Sequence, residues 1–255
     1  MKSISPFVAA ALAALIPGLA LADADHGGVK QPVDRGPANA DYEPAFPEQA
    51  NAPKMEAGQV KDFMLQLLAS VAYTHQMGIL HRDIKAANLL VSKDGVLKLA
   101  DFGLARQIDQ SARYTNKVIT LQYRPPELLL GGDSYGPAVD MWSIGCIFVE
   151  LLTGGRTLFR ADKEKDLMMA IVKVCGTPTE AEWPGLSALP LFHSFNFPRT
   201  RRRLRDSLPS IDAQAFDLLD KLFTYDPDKR ISAAAAIAHP YFTSAPLPAR
   251  AQLTC

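Results

Sequence analysis

The sequence has few cysteines, no excess of either charge and no long apolar run. Its three cysteines, Cys146, Cys175 and Cys255, are odd in number and form no C-x-x-C pair among 255 residues, which argues against a disulfide framework or a zinc site. There are 27 Lys and Arg residues and 27 Asp and Glu residues. The chain therefore carries no excess positive charge that would favour binding to nucleic acid or to a membrane surface. The apolar run Phe7–Leu21, at about fifteen residues, is short for a membrane span.

Prolines are concentrated at the start of the chain, where 7 of the 19 lie in the first 54 residues. Lys2, the apolar run and the Ala20–Ala22 ending predict a secretory signal peptide over residues 1–22, cleaved after Ala22. The alternative is a buried helix, which Pro17 and Gly18 would break.

Residues 23–54 are proline-rich and polar, with no apolar periodicity, which predicts a disordered linker. Within it, Tyr42–Gln49 resembles the mature N-terminus of bacterial periplasmic quinoprotein sugar dehydrogenases. No propeller repeats of the kind such an enzyme needs follow downstream.

The pattern changes from Met55 onward, where length and composition allow one sizeable domain. Apolar residues recur at helical spacing and predict a helix with one buried face; they are Val60, Phe63, Met64, Leu67, Leu68, Val71 and Ala72. Two short apolar runs, Leu89–Val91 and Val96–Leu99, flank the turn sequence Lys93–Gly95. These runs are therefore expected to pair as a hairpin.

Polar motifs surround that hairpin in a specific order. His81-Arg82-Asp83 is followed by Asn88, then by Asp101-Phe102-Gly103 and by Pro125-Pro126-Glu127. Together they resemble the catalytic loop, metal motif and activation-segment end of protein kinases. The finer similarity, in Tyr123–Gly131 and the Asp140–Phe148 segment, is to cyclin-dependent kinases of the transcription-elongation branch, and the resemblance covers residues 55–242.

This resemblance implies an α+β fold, a kinase C-terminal lobe that is mostly helical with a small β-hairpin. The kinase domain would span residues 55–245, with a tail over 246–255. It implies a Ser/Thr kinase that transfers the γ-phosphate of ATP, with Mg²⁺, to Ser/Thr-Pro sites in proteins. A cyclin partner and a nuclear location follow from the same resemblance, whereas residues 1–22 predict export.

Site residues are implied by position in the matched motifs. Asp83 would orient the substrate hydroxyl, Lys85 would contact the transferred phosphate, and Thr120 would tie the activation segment to both. Asn88 and Asp101 would hold Mg²⁺ and, with Lys85, the nucleotide.

The activation segment carries a second set of implied residues. Thr115 falls at the family's activating phosphothreonine, with Arg82 and Arg106 as charge partners for the phosphate. A pocket for the proline that follows the phosphorylated residue is implied at three residues: Val118, Ile119 and Arg124.

The resemblance also implies structural roles for several residues. Asp140 would brace the catalytic loop, Glu127 and Arg230 would form a buried ion pair, and Cys146 would be a core thiol. The basic run Arg199–Arg205 suggests binding to nucleic acid or a partner, or else a solvated, partly paired stretch, which zero net charge favours. Direct binding to nucleic acid is therefore not expected. Gln122 replaces the tryptophan usual at its position.

The N-terminal kinase lobe is expected to be absent from this chain. No G-x-G-x-x-G occurs, and no lysine lies in a V-A-I-K strand before His81. That lobe needs roughly 65–75 residues, and about 34 separate Ala22 from the first kinase-like helix. Two alternatives to an active kinase remain: a non-catalytic binding or scaffold protein built on a kinase lobe, and a chimeric gene model joined near residues 51–57.

Overall fold

A computed structural model describes residues 42–44, 55–109, 111 and 113–250. The predicted signal peptide over residues 1–22 lies outside the described residues. The helices of four or more residues within them are α1 (Ala57–Gln76), α2 (Pro126–Leu129), α3 (Ala138–Thr153), α4 (Glu164–Cys175), α5 (Leu204–Ser207), α6 (Ala213–Leu222) and α7 (Ala233–Ile237). The strands are β1 (Tyr42–Pro44), β2 (Ile79–Leu80), β3 (Leu89–Ser92), β4 (Leu97–Leu99) and β5 (Arg106–Gln107).

Helix α1 is the helix that the apolar spacing predicts, extended at both ends. At its start, the Gln59 side chain accepts a hydrogen bond from the Glu56 backbone N–H at 3.2 Å. This bond satisfies one of the N–H groups that have no partner within the helix. Its apolar stripe is buried in the main core. The helix ends before Gly78, whose φ of 74° suits a residue without a Cβ.

The hairpin β3–β4 is held to α1 by one buried amide. Gln66, 5% exposed, donates from Nε2 to the Gly95 carbonyl at 3.1 Å and accepts from the Leu97 N–H at 2.8 Å. Asp62 accepts from the same Nε2 at 2.7 Å. Because these polar groups are paired with each other, the hairpin can pack on the helix without an unsatisfied buried amide.

A third strand joins the hairpin where a linker was predicted. Tyr42–Pro44 pairs antiparallel with β3, in register Tyr42 with Ser92 and Pro44 with Leu90. The strand lies at the edge of a sheet of order β1-β3-β4, where a proline without an N–H is tolerated. The prediction of disorder throughout 23–54 therefore fails at these three residues, and the rest of that segment lies outside the described residues.

Helix α3 forms the centre of the core. Trp142 is fully buried and packs against the rings of Phe159 and Phe223, with centroids 5.8 and 5.0 Å away. Cys146 is 2% exposed, and burial raises its thiol pKa well above the usual range, so it is the inert core thiol that the sequence predicts.

The end of the described chain packs back onto the start of α1. Lys61, 3% exposed, donates from Nζ to the Ser244 carbonyl at 2.8 Å and lies 4.7 Å from the Tyr241 ring centroid. Ala249 donates its N–H to the Gly58 carbonyl at 2.9 Å, so part of the predicted tail contacts the domain. In the part of the chain that the structure describes, no helix could cross a membrane.

Candidate active site

The predicted catalytic loop follows β2 and is anchored by a buried carboxylate from α3. Asp140, 0% exposed, accepts hydrogen bonds from the backbone N–H groups of His81 at 3.0 Å and Arg82 at 2.9 Å. His75, from the end of α1, lies 2.8 Å from the same carboxylate through Nε2. Asp140 therefore holds the loop through direct hydrogen bonds to its backbone. His75 is an additional partner of Asp140 that the sequence did not indicate.

Replacing Asp140 with Ala is expected to lower the free energy of unfolding by about 3 kcal/mol, because two buried N–H groups would lose their acceptor. Chemical denaturation followed by circular dichroism measures this change. The matched control is Asp162→Ala, an exposed aspartate, which should leave stability nearly unchanged. Equal effects of the two substitutions would contradict the bracing role.

His81 is fixed in one tautomer by its two neighbours. Its Nε2 lies 3.1 Å from the Ala100 carbonyl, and its Nδ1 accepts from the Asp83 N–H at 3.3 Å. Since a carbonyl can only accept, Nε2 carries the proton. Burial lowers the pKa of His81 despite the nearby Asp140 carboxylate, so the ring is neutral and orients the loop. The Phe102 ring meets it edge-on at 4.6 Å.

Asp83 lies at the centre of the site, 6% exposed. Its Oδ1 accepts from the Thr120 hydroxyl at 2.8 Å, and its Oδ2 accepts from Lys85 Nζ at 2.6 Å. Burial by itself would raise the pKa of Asp83, but the hydrogen bonds from Lys85 and Thr120 outweigh it and hold that pKa below its ordinary value. The carboxylate is therefore ionised at neutral pH and able to orient or accept a proton.

Asn88 and Asp101 lie at the open end of the β3–β4 hairpin. The Ala100 N–H donates to the Asn88 carbonyl at 2.9 Å, which brings the two loops side by side. Asn88 uses its Nδ2 on Asp83, at 2.8 Å from the backbone carbonyl, while one Asp101 oxygen accepts from the Gly103 N–H at 3.2 Å. Each side chain keeps an oxygen for a hard cation. This donor set fits Mg²⁺, which binds few protein oxygens and retains waters or phosphate oxygens.

Thr115 is exposed and connected to Arg82 through a tyrosine. Arg82, 3% exposed, donates from Nη1 to the Tyr135 hydroxyl at 3.0 Å, and that hydroxyl donates to the Thr115 carbonyl at 2.8 Å. Arg106 is exposed and donates to the neighbouring Ala105 carbonyl instead. The structure thus brings one of the two implied arginines to the Thr115 loop.

Val118 and Ile119 are buried beside α2 and α3, and Arg124 reaches back to them. Its Nη2 and Nε donate to the Ile119 carbonyl at 2.9 and 3.3 Å, and a third nitrogen pairs with Glu164. Ile119 has a φ of 67°, which is strained for a β-branched residue. The guanidinium therefore holds this backbone turn and occupies its carbonyl.

Another buried carboxylate, Glu150 of α3, lies beside Tyr123, near the end of the predicted activation segment. Both of its oxygens are 3.1 Å from the Tyr123 hydroxyl, and Thr157 donates to one of them at 3.4 Å. Burial raises the pKa of Glu150 to about 7, although these hydrogen bonds lower it. Sequence reasoning missed Glu150 because its apolar neighbours on α3 indicate only a core helix.

Comparisons with known proteins agree with this geometry. The protein kinase domain family matches residues 43–242. Cyclin-dependent kinase C-1 of Oryza sativa subsp. japonica is 51% identical over 74% of this chain and 37% of its own length. Cyclin-dependent kinase 12 of Drosophila melanogaster is 51% identical over 70% of this chain and 16% of its own length.

A solved structure with the same fold is the yeast RNA Pol II CTD kinase CTDK-1 complex. The match has a TM-score of 0.76 at 39% identity, and it covers 78% of this chain and 67% of the other. The chain spans little more than a third of the curated relative from rice. Because the family match extends over most of the chain and includes the whole site, the chain belongs to the protein kinase family.

Proposed function

We propose that this protein is a Ser/Thr kinase of the cyclin-dependent type, which transfers the γ-phosphate of ATP to Ser or Thr followed by proline. Its relatives include cyclin-dependent kinases and a CTD kinase of RNA polymerase II, so the transcription-elongation branch is the favoured subgroup. A nuclear location and a cyclin partner belong to the same proposal.

The observation that carries the specificity is the occupied carbonyl of Ile119. Two nitrogens of Arg124 already use its lone pairs, so it has no capacity left for an N–H of a bound substrate. A residue other than proline would bury an unpaired N–H there, at a cost of about 1–3 kcal/mol. Proline has no N–H and avoids that cost.

The chain's own residues supply positioning for the transfer. Asp83 would hold the substrate hydroxyl and accept its proton, while Lys85, bonded to Asp83 in the free site, would follow the phosphate's negative charge. Thr120 fixes the other Asp83 oxygen and so sets its orientation. Bound Mg²⁺, held by Asn88 and Asp101, would neutralise phosphate charge.

Activation would proceed by phosphorylation of Thr115. A phosphate there would add roughly two negative charges to a loop that the Tyr135 hydroxyl already connects to the guanidinium of Arg82. Arg106 would have to turn from the Ala105 carbonyl to contribute.

We further propose that the chain provides the C-terminal lobe without a complete N-terminal lobe. The absence of a G-x-G-x-x-G loop in the sequence supports this, as does the exposure of Met77, Phe102 and Leu104 at 54%, 46% and 40%. Without the missing glycine loop and lysine, nucleotide positioning would be weak, since positioning provides most of kinase catalysis.

The test compares two peptides that differ only in having Pro or Ala after the target serine. We expect kcat/KM to be about 10- to 100-fold higher for the proline peptide, from the cost of one unpaired buried N–H. Radiolabel transfer from ATP measures it, with Arg124→Ala expected to reduce the preference. Equal kcat/KM values of the wild-type protein for the Pro and the Ala peptide would refute proline specificity.

The exposed apolar side chains also favour a second candidate, a non-catalytic binding protein built on a kinase lobe. The two differ in nucleotide binding: thermal stabilisation by millimolar Mg·ATP supports the kinase, and no stabilisation together with no labelling supports the scaffold. A chimeric gene is tested separately, by sequencing transcripts across Asn51–Gly58.

A further inference from the structure

A cavity of about 340 Å³ lies at the C-terminal end of α3. One wall is formed by the last residues of α3 and the turn that follows it, and the other by residues 207–211, between α5 and α6. The volume falls within the range of about 300–1,000 Å³ that is typical of sites for small organic molecules. None of the lining residues belongs to the candidate active site, so the proposed catalysis does not explain this cavity.

The first wall is fixed by the way in which α3 ends. Gly154 closes the helix with a φ of 72°, and Gly155, with a φ of 91°, donates its N–H to the Glu150 carbonyl at 2.8 Å. Glycine adopts these left-handed conformations without a steric cost. The turn brings Leu152 and Arg156 to the same cavity.

The second wall is held by hydrogen bonds at both of its ends. Arg205 donates from Nη1 to the Ile211 carbonyl at 2.8 Å, and Asp212 caps the start of α6 by accepting from the Gln214 N–H at 3.0 Å. Leu208 packs into the main core. Because both walls are held in place before a ligand arrives, little conformational entropy would be lost on binding.

Arg156 connects the two walls. It is exposed, and its Nη2 donates to the Ser207 carbonyl at 3.0 Å. A guanidinium has five N–H donors, and the remaining donors of Arg156 have no acceptor within the part of the chain that the structure describes. None of the lining residues, all of them described, is acidic. The cavity therefore has one positive charge with unused donors and no carboxylate to neutralise it.

Most of the remaining lining is apolar. Leu208 and Ile211 are 2% and 8% exposed, Leu152 is half-buried, and Pro209 adds a further apolar surface. Apolar carbon placed against these side chains would be removed from water, which is favourable. The cavity thus combines an apolar surface with a single cation.

We infer that this cavity binds a small organic anion with an apolar body and one carboxylate, the chemistry of a medium-chain fatty acid. The carboxylate would pair with the guanidinium of Arg156, which can donate two parallel hydrogen bonds to it. The apolar chain would lie against Leu152, Leu208 and Ile211.

The charges around the cavity disfavour other classes of ligand. The last carbonyls of α3 have no partner further along the helix and carry partial negative charge, so they direct the carboxylate away from Leu152 and towards Arg156. An organic cation would meet Arg156 and no carboxylate. A small inorganic anion such as sulfate would gain one exposed ion pair, which is weak in water, and would leave the apolar surface uncovered.

The test is titration of the full chain with octanoate, followed by saturation-transfer NMR of the ligand. No nucleotide or peptide is added, so the result is independent of the proposed phosphoryl transfer. We expect saturable binding to the wild type and a Kd about tenfold higher for Arg156→Gln, because charge-assisted hydrogen bonds are lost. Octan-1-ol, which has the same chain without the charge, should bind the two proteins equally within about twofold. The matched control, Arg160→Gln, removes an exposed arginine outside the cavity and should leave the Kd for octanoate unchanged.

A cavity-filling variant tests the apolar part separately. Ser210 is exposed and lines the cavity, so the ring in Ser210→Phe should occupy space that the ligand needs. This variant is expected to weaken the binding of octanoate and octan-1-ol alike. All three variants should melt like the wild type, because the altered side chains are exposed.

Three results would overturn the inference. The absence of saturable octanoate binding to the wild type would show that the cavity is not a site for this class of ligand. Equal Kd values for wild type and Arg156→Gln would show that Arg156 does not recognise the carboxylate. Unchanged binding to Ser210→Phe would place octanoate on another apolar surface, such as that of Met77 and Phe102.

Discussion

Asp83→Asn is expected to reduce phosphoryl transfer by about a thousandfold while leaving the fold unchanged. Removal of a positioned general base typically costs 10²–10⁴-fold. The amide keeps the size of the carboxylate and can still accept from Thr120, but it cannot take a proton from the substrate hydroxyl. It also loses the ion pair that holds Lys85 at 2.6 Å. Radiolabel transfer to a Ser-Pro peptide measures the loss.

The matched control for Asp83 is Asp94→Asn in the β3–β4 turn, an exposed carboxylate outside the site. It should keep wild-type activity and melting temperature. A loss confined to kcat, with Asp83→Asn melting normally, is the expected pattern for a residue that acts on the reacting proton. Equal activity of wild type and Asp83→Asn would refute its role as the base.

The parts of the site that could be predicted from sequence are those defined by local spacing. Asp83 and Asn88 belong to one loop, and Asp101 follows the strand that pairs back to it. A hairpin with a short turn fixes which residues meet, so the motif order alone places these side chains together. The long helix α1 could equally be predicted, because its apolar period from Val60 to Ala72 extends over more than three helical turns.

The parts that could not be predicted depend on contacts between distant segments. His75 reaches Asp140 and Tyr135 reaches Arg82 across more than fifty positions, and neither residue type carries a local signal of its role. The strand Tyr42–Pro44 exists because β3 offers it an unpaired edge. Its own sequence, with a proline, predicts a linker.

The unusual backbone conformations of the site could not be predicted from the sequence either. Arg82, Asp101 and Ile119 have φ values of 65°, 64° and 67°, in a region that residues other than glycine rarely adopt. All three lie in the candidate site, and each is held by specific bonds, such as those from Arg124 to the Ile119 carbonyl. Strain of this kind persists where the surroundings fix it, and it is concentrated at functional sites.

Loss of either member of the ion pair between Glu127 and Arg230, which joins residues 103 positions apart, is expected to destabilise the fold strongly. Arg230, with a side chain 0% exposed, donates to both Glu127 oxygens at 2.8 and 2.9 Å. It also donates to the carbonyls of Ala138, Thr224 and Tyr225. Removal of either partner leaves a buried charge or several buried carbonyls without compensation.

We expect Glu127→Gln to lower the free energy of unfolding by about 3 kcal/mol and Arg230→Met by about 4 kcal/mol, because the second also orphans the three carbonyls. The double variant should cost little more than Arg230→Met alone, since the pair is already broken there and Glu127→Gln only neutralises the buried carboxylate that Arg230→Met leaves without a partner. Urea unfolding followed by tryptophan fluorescence is the measurement, with Asp133→Asn in the exposed Arg113–Asp133 pair as a control of small effect. Additive losses in the double variant would mean that the two side chains stabilise the protein independently, which the bidentate geometry does not allow.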